Sequence, residues 1–233
     1  MGLSQKGPDD GGARECGLQL ERVYQEIKQR IVYGRYAPGT VLSETVLARM
    51  HRSSRTPVRE ALSRLLEEGY VDRVPRKGCV VAPLTTDSIQ KSFEVRRILE
   101  GTAAEKAAAT ADDPAVARMR ELAAYPPLER TPESYYVRLG ANDVFHLAVV
   151  AATQNGFLVD LVRHGLTQHN RVLSLGLDYP VLESSVREHH AIVDAIEARD
   201  PCAARAMMER HLDNAHRLVM DCLVRGRIRG VCR

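Results

Sequence analysis

The chain has 233 residues, of which 44% are hydrophobic and 27% are charged, as in globular proteins that bury a core. No stretch reaches the roughly 18 consecutive apolar residues of a membrane span, and five cysteines without a CxxC pair favour a reduced, cytoplasmic protein. The net charge of +3 is unevenly placed, because residues 14–82 carry 13 Lys and Arg against 8 Asp and Glu. This basic third predicts a polyanionic partner such as nucleic acid.

The chain opens with a polar stretch. Its first residues lack the apolar centre of a secretory signal, and we expect residues 1–17 to form a disordered tail. From Leu20 to Ile31 the apolar residues recur at helical spacing, which predicts a first helix that runs to about Tyr33. Gly34 and the Pro-Gly turn that follows it end this helix.

Two short helices and a hairpin come next. Ser43 and Ser54 are N-cap candidates for the second and third helices. Beyond Gly69 the apolar period changes from about 3.6 to about 2, and the segments YVDRV and CVVA flank PRKG, as expected for a β-hairpin. Three helices followed by a hairpin predict a winged helix-turn-helix domain over residues 18–84.

The remaining sequence is almost entirely helical in pattern. Residues 85–228 are predicted to form an antiparallel all-α bundle of about six helices, so the expected fold class is mainly α. The predicted breaks between these helices are Asp113-Pro114, Pro126-Pro127, Thr131-Pro132, Asn155-Gly156, Asp178-Tyr179-Pro180 and Asp200-Pro201.

The start of the third helix has the residue types of a segment that contacts DNA bases. Arg55 and Arg59 are four residues apart, so they share the helix face opposite the leucines, with Thr56 beside them. Arginine at this end of a recognition helix pairs with guanine, and the short hydroxyls of Thr56 and Ser54 can bond phosphate or base. A solvated helix face that carries two arginines is the alternative interpretation.

The predicted hairpin is charged at its tip. Arg76 and Lys77 are placed to contact phosphate or the neighbouring minor groove. Gly78 would allow the backbone of the wing to approach the DNA closely. Together with the basic segment and the order of the elements, this charged tip favours the DNA-binding interpretation.

Three segments of this region resemble the winged-helix domain of the GntR family of bacterial transcription regulators: GRYAPGTVLSETVLARM, SSRTPVREALSRLLEEGYV and PRKGCVV. The resemblance implies that the three recognition-helix residues read the operator and that Gly78 lies in the wing. The sequence departs from the family at Thr45, where some members carry a DNA-contacting arginine. It also departs at His51-Arg52-Ser53, where a Gly-Val turn is usual.

Three histidines of the helical part lie on the apolar stripes of their helices: His146, His189 and His211. Asn142 is one turn before His146 and projects the same way, and Asp143 is also near. Three imidazoles and one oxygen ligand from three inward-facing helices suit Zn²⁺, with Ni²⁺ or Mn²⁺ as alternatives. Unrelated core histidines satisfied by hydrogen bonds are the other interpretation.

Four blocks of this region resemble the effector domain of the FadR branch, the FCD domain: EVRRILEGTAAEKAA, NDVFHLAVVAATQN, REHHAIVDAIEARD and AARAMMERHL. Many FCD proteins hold a metal with an acidic or amide residue four before the Phe-His histidine, that histidine, and two later ones. The resemblance therefore implies Asn142, His146, His189 and His211 as metal ligands. Because Asp is commoner than Asn at the first position, Asp143 stays an alternative oxygen ligand.

Arg96 falls on the apolar stripe of the first helix of the bundle, so its guanidinium is expected inside. A buried arginine needs an anion, which is either Glu100, one turn on, or a carboxylate effector held between Arg96 and the metal. The resemblance implies small organic acids as effectors. His164, His169 and Arg138 are further candidates for the same cavity.

These features predict a DNA-binding transcription regulator and not an enzyme. A homodimer would place two recognition helices about one helical turn apart on a near-palindromic operator, and an effector would shift the population of DNA-competent dimers. The resemblance favours a repressor. A metal-dependent hydrolase or lyase is the rival class, but the chain has no HExxH motif and no paired carboxylates at a useful spacing. A winged helix that binds only protein is a third interpretation, against which the basic wing argues.

Overall fold

The computed structural model describes residues 10–124, 131–175, 181–225 and 231–232. Contacts divide the chain into two compact units, Met1–Pro83 and Leu84–Arg233. The domain boundary predicted between residues 84 and 85 lies one residue from this division. Among the described residues, no helix is both long enough and apolar enough to cross a membrane.

The first unit contains three helices and a three-stranded antiparallel sheet in the order β1-β3-β2. Its elements are α1 (Asp10–Val32), β1 (Val41–Leu42), α2 (Glu44–Met50), α3 (Arg55–Glu67), β2 (Val71–Val74) and β3 (Gly78–Val81). Helix α1 begins at Asp10, ten residues before the predicted start, and so includes residues 10–17 of the predicted tail. Residues 1–9 of that predicted tail lie outside the described part of the chain.

The core of the first unit fixes the position of α3. The apolar stripes of α1 and α3 face each other, and each large apolar side chain that they bury contributes about 1.5–3 kcal/mol. The Tyr24 hydroxyl on α1 also donates to Glu68, just after α3, at 2.6 Å. The buried side chains of the two helices include Val23, Tyr24, Ile27, Val58, Leu62 and Leu65.

The second unit contains six helices in its described part, which confirms the predicted all-helical domain and the mainly α fold class. Its elements are β4 (Leu84–Thr85), α4 (Thr86–Thr110), α5 (Asp113–Ala123), α6 (Pro132–Ala151), α7 (Gly156–Leu173), α8 (Val181–Glu197), α9 (Pro201–Val224) and β5 (Val231–Cys232). Strands β4 and β5 pair in parallel. The sequence did not predict this pair, because strands of two residues have no readable period.

Capping residues begin the helices at the predicted breaks. Four N-cap side chains each accept a hydrogen bond from a backbone N–H three residues on, and so satisfy one of the free donors of the first turn. These residues are Asp112, Thr131, Asn155 and Asp200. The predicted breaks at Pro126-Pro127 and Asp178-Tyr179-Pro180 lie outside the described residues.

Helix α4 is central to the second unit and packs on α6, α7, α8 and α9. Its last turns bury a run of alanines with no exposed surface, Ala103, Ala104 and Ala107 among them. Small side chains allow neighbouring helices to come close. The polar side chains that α6, α8 and α9 direct inward therefore meet beside α4.

Candidate functional site

The predicted DNA-contacting residues lie on the solvent-exposed face of α3. Arg55, Thr56 and Arg59 are exposed, while the leucines of the opposite face are buried. Ser54 occupies the N-cap position, as predicted, but its side chain makes no cap hydrogen bond. Arg55 Nη2 donates to Glu44 Oε2 on α2 at 3.1 Å, so the arginine has an acidic neighbour that sequence reasoning did not identify.

The turn before α3 takes a backbone conformation that glycine normally supplies. Arg52 has a φ of 48°, in the left-handed region that is costly for a residue with a Cβ. The preceding His51 is buried and holds this turn to α1, because its Nδ1 lies 2.6 Å from Glu26 Oε2 and its carbonyl accepts from Arg22 at 2.8 Å. The unusual His51-Arg52-Ser53 turn is thus anchored by a long-range contact.

The hairpin tip is exposed and strongly curved. Val74 and Gly78 are paired across the β2–β3 register, and the Lys77 amide donates to the Val74 carbonyl at 3.1 Å. Arg76 and Gly78 have φ values of 65° and 81°. This turn presents the side chains of Arg76 and Lys77 to solvent.

The three predicted histidines come together in the second unit. His146 on α6, His189 on α8 and His211 on α9 are all buried. His211 Nε2 lies 3.2 Å from His189 Nε2 and 3.3 Å from His146 Nε2. They form a group of potential metal ligands whose donor atoms all lie within 4.8 Å of one another.

Two carboxylates set the orientation of two of these rings. His146 Nδ1 lies 2.5 Å from Glu100 Oε2, and His211 Nδ1 lies 2.7 Å from Glu188 Oε2. A ring nitrogen this close to a carboxylate oxygen must carry the proton, because two lone pairs would repel each other. Burial, opposed by Glu100, lowers the pKa of His146 to about 4, so the neutral ring has a bare Nε2.

The convergence of these nitrogens fits a metal ion. Bare nitrogens 3.3 Å apart repel unless a cation lies between them. A single proton satisfies one pair of nitrogens, whereas a metal ion satisfies all three. Two nitrogens bound to Zn²⁺ at ordinary bond lengths and a tetrahedral angle are about 3.3 Å apart. The Nδ1–H to carboxylate contacts are also those that metal-bound histidines use.

The two candidate oxygen ligands have different surroundings. Asn142 lines the same cavity as His146 and His211. Asp143 Oδ2 instead accepts from Asn170 Nδ2 on α7 at 2.6 Å. Burial, opposed mainly by the Asn170 bond, raises the pKa of Asp143 to about 6. The Asn142 side chain thus lines the cavity and also hydrogen-bonds to Asp143, while the Asp143 carboxylate bonds to α7 as well.

Arg96 is buried as predicted, and its Nε donates to Glu100 Oε1 at 2.6 Å. Burial alone would raise the pKa of Glu100. The charge of Arg96, the neighbouring His146 and the hydrogen bonds to these two residues outweigh burial and lower this pKa to about 2. Glu100 is therefore a carboxylate at neutral pH. It neutralises Arg96 and contacts a candidate metal ligand at the same time.

A small cavity joins these groups. Its volume is about 40 Å³, enough for a few water-sized groups. Burial and then the Arg96 charge hold the pKa of its His169 well below the usual range, so this imidazole is neutral. His164 is exposed, and Arg138 is buried but does not line the cavity. The lining includes Arg96, Asn142, His146, His169, Glu188 and His211.

Sequence reasoning missed the acidic partners of the histidines. Glu188 directly precedes His189 and so lies about 100° away from the stripe that identified the histidines. Glu100 was assigned only to Arg96, because the one-turn spacing within α4 already gave it a partner. Neither contact is encoded by spacing, since both join different helices.

Comparison with known proteins decides the family. A family model described as "Bacterial regulatory proteins, gntR family" matches residues 19–81, and one described as "FCD domain" matches residues 91–214. The chain belongs to the GntR family and carries an FCD domain. It is a DNA-binding transcription regulator of the GntR/FCD type.

Relatives of this GntR-family chain are transcriptional regulators. The Nta operon transcriptional regulator of Aminobacter aminovorans is 30% identical over 186 residues, 76% of this chain and 85% of that protein. The HTH-type transcriptional repressor RspR of Escherichia coli (strain K12) is 25% identical over 195 residues, 82% of this chain and 85% of that protein. A crystal structure of a GntR transcriptional regulator from Rhodococcus sp. RHA1 matches with a TM-score of 0.71 and 25% identity, over 87% of this chain and 98% of that one.

Proposed function

We propose that this GntR-family regulator is a homodimeric repressor that releases its operator when a small carboxylate binds in a metal-containing cavity of the helical unit. One observation carries the effector part of this proposal. The buried cationic Arg96 and two of the convergent histidines, His146 and His211, line a single cavity, which would provide a guanidinium and a metal site for the same anion. The proposal that the chain represses transcription is supported by its similarity to the repressor RspR.

For DNA recognition we assign base contacts to Arg55, Thr56 and Arg59. Their exposure at the start of α3 is what a recognition helix requires, since its N-terminal residues meet the base edges. Ser54, Arg76, Lys77 and Gly78 would contact the DNA backbone or the minor groove. Two such units in a dimer would read half-sites about one helical turn apart.

The DNA assignment is tested with duplexes that the wild-type chain selects from a random pool. Replacing Arg55 and Arg59 by alanine should weaken binding by at least about 30-fold, at about 1–3 kcal/mol for each base-reading arginine. Arg64→Ala is the matched control, because Arg64 lies on the same helix but pairs with Glu21 of α1 at 2.8 Å. Equal binding by the double variant and the control would overturn the assignment.

For the metal we assign His146, His189, His211 and Asn142 as ligands and Zn²⁺ as the ion that fits best. The bound ion would supply a Lewis-acidic partner for one carboxylate oxygen, while the guanidinium of Arg96 would hold the other. The neutral state of His146, whose ring Glu100 orients, is the protonation state that a metal requires. Because the cavity is small, the acid it accepts must be small or must displace lining side chains.

Metal content is measured by mass spectrometry on protein purified without chelator. About one divalent ion per chain is expected, and the His146→Ala/His189→Ala variant should lose it. His190→Ala is the matched control, since this neighbour of His189 is not part of the histidine group. A wild-type chain that stays metal-free after addition of Zn²⁺, Ni²⁺ or Mn²⁺ would overturn the metal assignment.

A further inference from the structure

We propose that Glu100 is a positioning residue that joins the two halves of the effector site, fixing the metal ligand His146 and the anion-binding Arg96 with one carboxylate. This inference rests on the proposed function and adds to it a physical link between the metal and the anion. The inference is based on the two carboxylate oxygens of Glu100, each of which contacts a different side chain.

Glu100 makes one more contact than it needs to neutralise the charge of Arg96. Oε1 accepts from Arg96 Nε at 2.6 Å within α4, and this ion pair alone would neutralise the guanidinium. Oε2 nevertheless lies 2.5 Å from His146 Nδ1 on α6. The Glu100 side chain has no exposed surface, so water cannot replace either contact.

Glu188 provides a contrast within the same site. It also receives a histidine Nδ1, that of His211, at 2.7 Å, but its second oxygen accepts from the neutral Asn214 side chain. Its side chain keeps 19% of its surface exposed, so water can reach it. Both carboxylates orient a metal ligand, but only Glu100 ties that ligand to a buried cation in the described part of the chain.

The link has a consequence for regulation. A carboxylate that binds Arg96 must compete with or share the guanidinium held by Glu100, and any shift of Glu100 changes how firmly it holds the His146 ring. Because binding free energies are reciprocal, metal at the histidines must likewise change the affinity of Arg96 for the anion. The two ligands of the proposed site are therefore coupled through Glu100, in addition to their proposed direct contact.

The test uses Zn²⁺ alone as the probe, with the full-length chain and a competing chromophoric chelator. Glu100→Gln keeps the size of the side chain, but its amide nitrogen cannot accept a hydrogen bond, so only one of the two contacts survives. We expect its Zn²⁺ affinity to be about 10–100-fold lower than that of the wild type, the usual cost of removing such a partner of a metal ligand. The visible spectrum of bound Co²⁺ should also change, because the imidazole plane is no longer fixed.

Glu209→Gln is the matched control. Glu209 likewise pairs with arginines, Arg97 at 2.9 Å and Arg205 at 2.9 Å, but it contacts no histidine of the site. Its Zn²⁺ affinity should stay within about twofold of the wild type. If Glu100→Gln fails to fold, Glu100→Asp serves in its place, because it keeps the charge but is too short to bridge both partners.

The outcomes separate this inference from the proposed function. Normal Zn²⁺ binding by the wild type with an unchanged affinity in the Glu100 variants overturns the inference and leaves the metal site standing. Equal weakening in Glu209→Gln overturns it too, since the effect is then a general one of lost ion pairs. No Zn²⁺ binding by the wild type overturns both proposals. Weakening confined to the Glu100 variants supports the link.

Discussion

Gly165 on α7 packs directly against the Arg96 side chain. A Cβ built on Gly165 would lie 2.8 Å from Cγ and 3.2 Å from Cδ of Arg96, closer than packed carbon atoms approach. The arginine cannot easily move aside, because its Nε is held by Glu100 at 2.6 Å. The absence of a side chain at residue 165 therefore leaves room for the Arg96 side chain in its observed position.

Gly165→Ala should therefore destabilise the folded chain. The added methyl group overpacks a buried site, which costs about 1–3 kcal/mol and outweighs the gain of about 0.5–1 kcal/mol from a better helix former. Gly140→Ala on α6 is the matched control, since no heavy atom lies within 4 Å of its built Cβ. Urea unfolding should show a loss of stability in the first variant and a gain in the second, and a gain in both would contradict this account.

Arg52→Gly should stabilise the first unit. At a φ of 48° a residue with a Cβ is strained, and glycine relieves about 0.5–1 kcal/mol after the cost of its own flexibility is counted. Gly69→Ala is the opposite control, because Gly69 has a φ of 73° after α3 and alanine should be strained there. The midpoint temperature of thermal unfolding should rise for Arg52→Gly and fall for Gly69→Ala. A fall in both would show that the Arg52 side chain contributes more than its backbone costs.

Much of the architecture was predictable because it depends on local patterns. The apolar stripe of α3, the hairpin around PRKG and the cap residues of the bundle are repeated signals within a few residues of one another. The three histidines were predictable for the same reason, since each continues the apolar stripe of its own helix. Their meeting at 3.2 and 3.3 Å follows once those stripes face a common core.

What the sequence could not predict depends on contacts between distant elements. The left-handed Arg52 is kept in place by His51 and Glu26, 25 residues away in the chain. Spacing could not choose between Asn142 and Asp143, because both lie about one turn before His146, and the bond that Asp143 accepts from Asn170 comes from another helix. The second contact of Glu100 is of the same kind.

Asp143→Asn should change how stability depends on pH. The folded pKa of about 6 lies above the ordinary value of 3.8, so the folded state keeps a proton that the unfolded state loses between these values. Wild-type stability must fall as pH rises through this window, and the variant lacks that loss. From about pH 4.5 to pH 7.5 the free energy of unfolding of the variant should rise by about 2 kcal/mol relative to that of the wild type. Urea unfolding at both pH values measures this difference. Parallel pH profiles would contradict the raised pKa.

Glu44→Ala should make the DNA-binding unit less selective. Glu44 holds Arg55 at 3.1 Å, which fixes the direction of the arginine and places a negative charge at the proposed DNA surface. Its removal should raise affinity for random duplex severalfold through reduced repulsion, and lower the ratio of specific to random binding. Glu67→Ala is the control, because it makes the same change in net charge at the far end of α3. Fluorescence anisotropy with both kinds of duplex measures the ratio, and an equal change in the two variants would show that only net charge matters.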